Sequence, residues 1–231
     1  MPGVSDASKL GRILLFNGLS PTELDRVNDL LHSRQVPSGT NIITVAEPGE
    51  VAYIILDGTV KIHVETADGG EVILVILGSG EIVGELSVVD SLGRSANVVT
   101  MEESTICWID RKTFWECVDT MPLMMHNLVR ILSRRIRLAN AQIQSLASLD
   151  VYGRVARQLL AFAHEYGEKQ PNGDILIPIR LTQSDIAGMI GATRVRVNQV
   201  LVAYRQRGHI SIDHNYRITI HHIEPLVKRA Q

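Results

Sequence analysis

The chain has 231 residues, 45% of them hydrophobic, which suits one large domain or two modest ones with a real core. No run of eighteen apolar residues occurs, which excludes a helical membrane span, and the first six residues lack the basic and apolar regions of a secretory leader. Two lone cysteines, Cys107 and Cys117, fit buried, reduced thiols in a cytoplasmic protein and offer no metal site.

The net charge of −2 conceals an asymmetry. Residues 1–150 hold twelve Lys/Arg against nineteen Asp/Glu; residues 151–231 hold eleven against six, with five of the eight histidines. Such a split implies domains with different partners, the basic one suited to nucleic acid.

In chain order, residues 6–33 read as two short helices. Ser20-Pro21-Thr22-Glu23 supplies an N-cap, a first-turn proline and a capping-box glutamate, with Leu24, Val27, Leu30 and Leu31 on one face. Residues 34–110 read as short β-branched strands at 41–45, 53–56, 60–64, 71–77 and 106–109. Turn clusters such as Asp57-Gly58 and Asp68-Gly69-Gly70 separate them, the pattern of a rolled antiparallel barrel.

Inside that barrel lies residues 83–96, Val-Gly-Glu-Leu-Ser-Val-Val-Asp-Ser-Leu-Gly-Arg-Ser-Ala. Gly84 and Gly93 loosen its backbone, Arg94 and Ser95 suit a phosphate, and Glu85 suits ribose hydroxyls. The same residues also fit a surface hairpin with a solvated ion pair.

Residues 111–118 read as a short helix broken at Met121-Pro122. From about 123 to 149, Met125, Val129, Leu132, Ile136, Ala139, Ile143 and Leu146 recur every 3.5 residues, the spacing of a two-helix dimer seam. Ser148-Leu149-Asp150 reads as a hinge. Residues 151–165 form an amphipathic helix with Val155, Leu159 and Phe162 on one side, and 167–173 a polar loop.

Residues 181–208 form a helix-turn-helix pattern. Thr182 caps a helix with Asp185 at its third position; Ile186, Ala187 and Ile190 face inward; Gly191 makes the turn. Thr193 caps a second helix from Arg194 to about Gln206, with Val197, Val200, Leu201 and Tyr204 inward and Arg194, Val195, Asn198 and Gln199 outward. Arg pairs with guanine, and Gln or Asn with adenine, in a major groove. Residues 209–213 and 217–221 alternate as a small wing. No nucleophile–base–orienter triad and no phosphate-binding Gly-Lys-Ser/Thr motif is legible.

Taken together, Gly84-Glu85-Leu86 with Arg94-Ser95-Ala96, the run from Leu149 to Ala156, and the 182–208 head resemble the cAMP receptor protein / fumarate-nitrate regulator family of bacterial transcription factors. The resemblance spans about residues 10 to 222. It implies an α+β protein: an N-terminal cyclic-nucleotide-binding β-roll with flanking helices (1–120), a long dimerisation helix and hinge (121–150), and a C-terminal winged helix-turn-helix (151–231). It implies that Glu85 binds the ribose, and that Arg94 and Ser95 bind the cyclic phosphate. Gly84, Leu86 and Ala96 would line the site, Ile62, Leu74 and Val75 would wall it, and Arg135 would approach Glu85 from behind. Thr182, Gln183, Thr193, Arg194, Val195, Arg196, Asn198 and Gln199 would meet double-stranded DNA, with Arg196 on phosphate.

Two departures from the family pattern stand out. The long-helix Thr-Ser pair that reads adenine is Ala139-Asn140 here, leaving Asn140 alone to hydrogen-bond the base. The family's Arg-Glu-x-x-x-Arg reading helix becomes Arg194-Val195-Arg196-Val197-Asn198-Gln199, which changes half-site preference. The expectation is a cyclic-nucleotide-gated homodimer, cAMP as effector and no cofactor, that regulates transcription with RNA polymerase as a further partner. The alternatives are a member with another ligand or constitutive DNA binding, a nucleotide-binding module that docks a protein, and an enzyme.

Overall fold

The computed structural model describes residues 7–67 and 69–231. The leader reading of residues 1–6 and the place of Asp68 in its turn lie outside the described residues. Two compact units are formed, Met1–Val64 with Leu74–Ile136, and Glu65–Ile73 with Arg137–Gln231.

In the first unit, short 3-10 turns at Ala7–Arg12 and Leu14–Phe16 lead into α1 (Pro21–Leu30). The Ser20 hydroxyl accepts from the Glu23 N–H, and the Glu23 carboxylate accepts from the Ser20 N–H at 2.7 Å, the reciprocal cap expected of this tetrapeptide. Val27 and Leu31 are fully buried, but Leu30 is exposed at the edge of the stripe.

The strands are β1 (His32–Val36), β2 (Asn41–Ile43), β3 (Val51–Asp57), β4 (Val60–Glu65), β5 (Glu71–Leu77), β6 (Ile82–Val83), β7 (Asn97–Thr100) and β8 (Ser104–Asp110), with helix α2 (Glu85–Asp90) between β6 and β7. They form two antiparallel sheets, ordered β1-β8-β3-β6 and β2-β7-β4-β5. Val36, Ile55, Val83 and Ile106 of the first face Ile43, Val60 and Val98 of the second. The first sheet's other face (Ala52, Ile54, Ile82, Cys107, Ile109) packs on Phe16, Phe114, Met124 and Leu128. Burial on both faces explains why β3 reads as a continuous apolar run.

Helix α3 (Arg111–Thr120) starts on Asp110, whose carboxylate accepts from the Thr113 N–H at 3.0 Å. Helix α4 (Pro122–Ser148) follows at once, with proline at its first position. Two apolar faces run along its start. Met124, Leu128 and Ile131 are buried in the roll's outer core. Met125 and Leu132 lie at the edge of that core, whereas Val129 and Ile136 are exposed. Asn127 fixes the helix by donating to the Leu15 and Asn17 carbonyls at 3.1 and 2.8 Å.

The second unit holds the end of α4, α5 (Val151–Tyr166), β9 (Glu168–Lys169), β10 (Ile175–Ile177), α6 (Gln183–Ile190), α7 (Arg194–Gln206), β11 (Ile210–Ile212), β12 (Ile218–Ile220) and α8 (Ile223–Arg229). The expected polar loop at 167–173 contains β9, which pairs with β10, completing a sheet ordered β11-β12-β10-β9. Val155, Leu159 and Phe162 bury the inner face of α5, as its spacing requires. Among the described residues, no helix is long and apolar enough to cross a membrane.

Candidate functional site

The 83–96 stretch is not a hairpin. Strand β6 ends at Val83, and Gly84, with φ of +78°, turns the chain into the six-residue helix α2. A Cβ at this position would stand 2.7 Å from Arg94 Nη1 and 3.1 Å from the Val51 carbonyl, so the backbone packs as closely as a glycine permits. Arg94 is 7% exposed. Its Nη1 donates to the Gly84 carbonyl at 3.2 Å and its Nη2 to the Val51 carbonyl at 2.8 Å, while the buried Nε has no partner. Burial lowers the guanidinium's affinity for its proton below the ordinary arginine range, although nearby Tyr53, Glu47 and Glu50 oppose the shift. The result is a desolvated cation whose hydrogen bonds go to carbonyls, which suits an incoming anion.

Glu85 opens α2 and is buried. Arg135 of α4 donates from Nη1 to Glu85 and from Nη2 to the Ile82 carbonyl. Ser95 is exposed beside the buried Arg94 and Ala96, and Leu86 is exposed on α2. Ile62 and Val75 pack on the inner core of the roll, whereas Leu74 is exposed. The arrangement offers a buried cation, an exposed hydroxyl and a carboxylate acceptor within one short segment.

Sequence reasoning missed Arg111. It donates to the Gly49 and Ser87 carbonyls at 3.0 and 2.6 Å and pairs with Glu50 at 3.4 Å, pinning the Gly49-Glu50 turn against α2. A cation in the first turn of α3, where the helix dipole disfavours it, was the one available signal. Glu81 was missed as well. It is buried and bonded to Arg134.

The helix-turn-helix matches its expected boundaries. Thr182 and Asp185 form a capping box, Gly191 ends α6 at φ +60°, and Thr193 caps α7. Arg194, Val195, Arg196, Asn198 and Gln199 are exposed, and Val197, Val200, Leu201 and Tyr204 are buried. The exposed side chains hold one another. Arg194 Nε donates to Gln183 at 3.5 Å, Gln183 donates to Asn198 at 3.1 Å, and Arg196 donates to Gln199 at 3.1 Å. Gln142 of α4 donates to the Met189 carbonyl, and Arg154 to the Ile190 carbonyl at 2.7 Å, fixing the end of α6. Ala139, Asn140, Ile143 and Leu146 lie exposed on α4 within this second unit.

One expectation is corrected. A Ser–His–Asp alignment does assemble: His221 Nδ1 lies 2.7 Å from Asp174 and Nε2 lies 2.9 Å from Ser211 Oγ. Those residues are far apart in sequence and meet only through the β10–β12 and β11–β12 pairing. The hydrogen bond from His221 holds the Asp174 carboxyl below its usual range. With Ser211 exposed at the sheet surface, the group ties three segments of the sheet together. Among the described residues, no cluster of His, Cys, Asp and Glu is arranged for a metal ion.

A family model described as "Cyclic nucleotide-binding domain" matches residues 33–121, and one described as "Crp-like helix-turn-helix domain" matches residues 153–229. The chain is 34% identical to a CRP-like cAMP-activated global transcriptional regulator of Mycobacterium tuberculosis (strain CDC 1551 / Oshkosh), over 96% of this chain and 98% of that protein. It belongs to the CRP/FNR family of transcription regulators. A cyclic AMP receptor protein of Thermus thermophilus is 30% identical over 84% of this chain and 86% of its own. The fold is shared with a CooA variant from Carboxydothermus hydrogenoformans (TM-score 0.76, 21% identity, 99% of this chain and 98% of that one) and with FixK2 from Bradyrhizobium japonicum (TM-score 0.77, 16% identity, 87% and 98%). The CRP/FNR assignment makes this chain a cyclic-nucleotide-responsive transcription regulator with a DNA-binding helix-turn-helix.

Proposed function

We propose that the chain is a cAMP-gated homodimeric regulator, and one observation carries this reading: the buried Arg94 guanidinium, which spends its hydrogen bonds on backbone carbonyls and keeps a desolvated positive charge. The cyclic phosphate binds Arg94 and Ser95, and the ribose hydroxyl donates to Glu85. Gly84, Leu86 and Ala96 line the site, with Ile62, Leu74 and Val75 along its apolar wall. The Asn140 amide carries both a donor and an acceptor, the groups that an adenine edge pairs with. Support for cAMP itself comes from the description of the Mycobacterium tuberculosis relative as cAMP-activated.

The dimer seam is the exposed stripe of α4. Val129, Ile136, Ile143 and Leu146 are each more than two-fifths exposed, Ile143 the most at 65%, and a second copy of the helix would cover them together with Ala139. Met125 and Leu132 join the seam at its start. Ligand shifts the helix pair toward the arrangement in which both Arg194-bearing helices fit successive major grooves, roughly 34 Å apart on a palindrome. It does so only by binding that arrangement more tightly. Thr182, Gln183, Thr193, Val195, Arg196, Asn198 and Gln199 complete the DNA surface of a cytoplasmic regulator, not an enzyme, that works with RNA polymerase.

A second reading, another effector at the same cassette, is favoured by Ala139, which brings no hydrogen-bonding group to a base. Calorimetric titration with cAMP, cGMP and a cyclic dinucleotide decides between them. Binding of cAMP that disappears in Arg94→Ala, with the thermal transition retained, supports the first reading; binding that survives the substitution removes Arg94 from the phosphate site.

A further inference from the structure

Two buried carboxylates compete for one guanidinium on the long helix. Glu85 accepts from Arg135 Nη1, whereas Glu81, also 3% exposed, accepts from Arg134 through Oε1 alone. Glu81 Oε2 is buried without a hydrogen bond and lies 3.5 Å from Arg135 Nη2. That nitrogen donates to the Ile82 carbonyl, beside the empty lone pair of Glu81. The backbone of Glu81 cannot follow the helix, because its carbonyl accepts from Ile55 of β3 at 2.9 Å. The Glu81 backbone is therefore anchored to β3, and α4 is the part that can move against it. A buried carboxylate oxygen with no donor is costly, so a small shift of Arg135 toward it gains a charge-assisted bond.

We propose that Glu81 is a positioning residue, the second seat for Arg135, and that it converts occupancy of Glu85 into displacement of α4. This inference rests on the reading that a ribose hydroxyl donates to Glu85. That hydroxyl shares the carboxylate with Arg135 and weakens its hold. The guanidinium then moves onto Glu81 Oε2. Because Arg134 and Arg135 are adjacent on α4 and both engage Glu81, the step turns the helix instead of freeing a single side chain. Ligand binding and helix response thereby reside in different residues, Glu85 for the first and Glu81 for the second.

The test uses the full-length protein, cAMP as the probe, and a duplex selected by the wild-type protein from a palindrome library in saturating cAMP. Glu81→Gln keeps the shape and removes the charge. The expected result is a cAMP affinity within about threefold of wild type, and a drop of about tenfold in the ratio of DNA affinities with and without cAMP, equivalent to ~1.4 kcal/mol of lost coupling. Glu81→Asp restores part of that ratio. An unchanged ratio in Glu81→Gln overturns the proposal. A readout on the wild-type protein covers the case in which the variant does not fold. With glutamate side-chain carboxyls labelled with carbon-13, cAMP shifts the resonances of both Glu81 and Glu85. Movement of Glu85 alone overturns the proposal. If neither moves and calorimetry detects no cyclic nucleotide, the ligand reading itself has failed and this inference falls with it.

Discussion

Arg94 and Gly84 are built around each other: Nη1 donates to the Gly84 carbonyl at 3.2 Å, and a Cβ on Gly84 would stand 2.7 Å from that same nitrogen. The glycine is also left-handed, at φ +78°. Gly84→Ala thus combines backbone strain with displacement of the guanidinium. We expect a loss of about 1–3 kcal/mol in folding stability, read by urea denaturation, and loss of nucleotide binding, read by calorimetry. Retained affinity would show that the close approach is not needed for the site.

What the sequence made legible was mostly local. Ser20, Thr182 and Thr193 announce their helices because a cap is a bond between neighbours, and α7 begins and ends where its residues predict. Glu85, Arg94 and Ser95 sit within eleven positions of one another and could be read as a group. Strand β1 could not be read, because His-Ser-Arg-Gln-Val lacks apolar alternation and takes its conformation from pairing with β8. Helix α2 was hidden by its valines and is framed by left-handed Gly84 and Ser91. Arg111, Glu81 and the Asp174–His221–Ser211 contact escaped for one reason: their partners lie up to 62 positions away and meet only once the chain is folded.

Arg194 and Arg196 separate specificity from affinity. Arg194 is exposed in the first turn of α7 and is braced by Gln183, whereas Arg196 is braced by Gln199. Arg194→Ala is expected to cost about 1–3 kcal/mol at one guanine and to relax preference there. Arg196→Ala should weaken all duplexes alike and lower the salt slope of binding by about one. Anisotropy titrations over a range of salt, with single-base variants of the selected duplex, distinguish the two; equal losses on every duplex for Arg194→Ala would make it a phosphate contact.

The two thiols should be silent in the native protein. Cys107 and Cys117 are free and buried, and burial pushes the Cys107 thiol up to about 12 and raises that of Cys117. Only a thiolate reacts readily, so at mildly alkaline pH a disulfide reagent should label neither until the roll opens. In denaturant both should react. Fast labelling of the folded protein would place one of the thiols outside the core.

Tyr204 gives the second unit an alkaline limit. Its ring is buried edge-on to Tyr152 of α5, and its hydroxyl donates to the Tyr152 carbonyl at 2.9 Å. Burial, the main cause, pushes the phenol up to about 12, against about 10 in an unfolded chain. The folded state therefore holds its proton over a range in which the unfolded state releases it. Stabilisation from this group is complete below about pH 10 and is lost as the pH rises toward about 12. In Tyr204→Phe that slope should disappear from urea-unfolding midpoints measured across the window. At neutral pH the variant should be weaker by about 0.5–1.5 kcal/mol, the value of the lost hydrogen bond. Parallel slopes for the two proteins would mean that another group sets the alkaline limit.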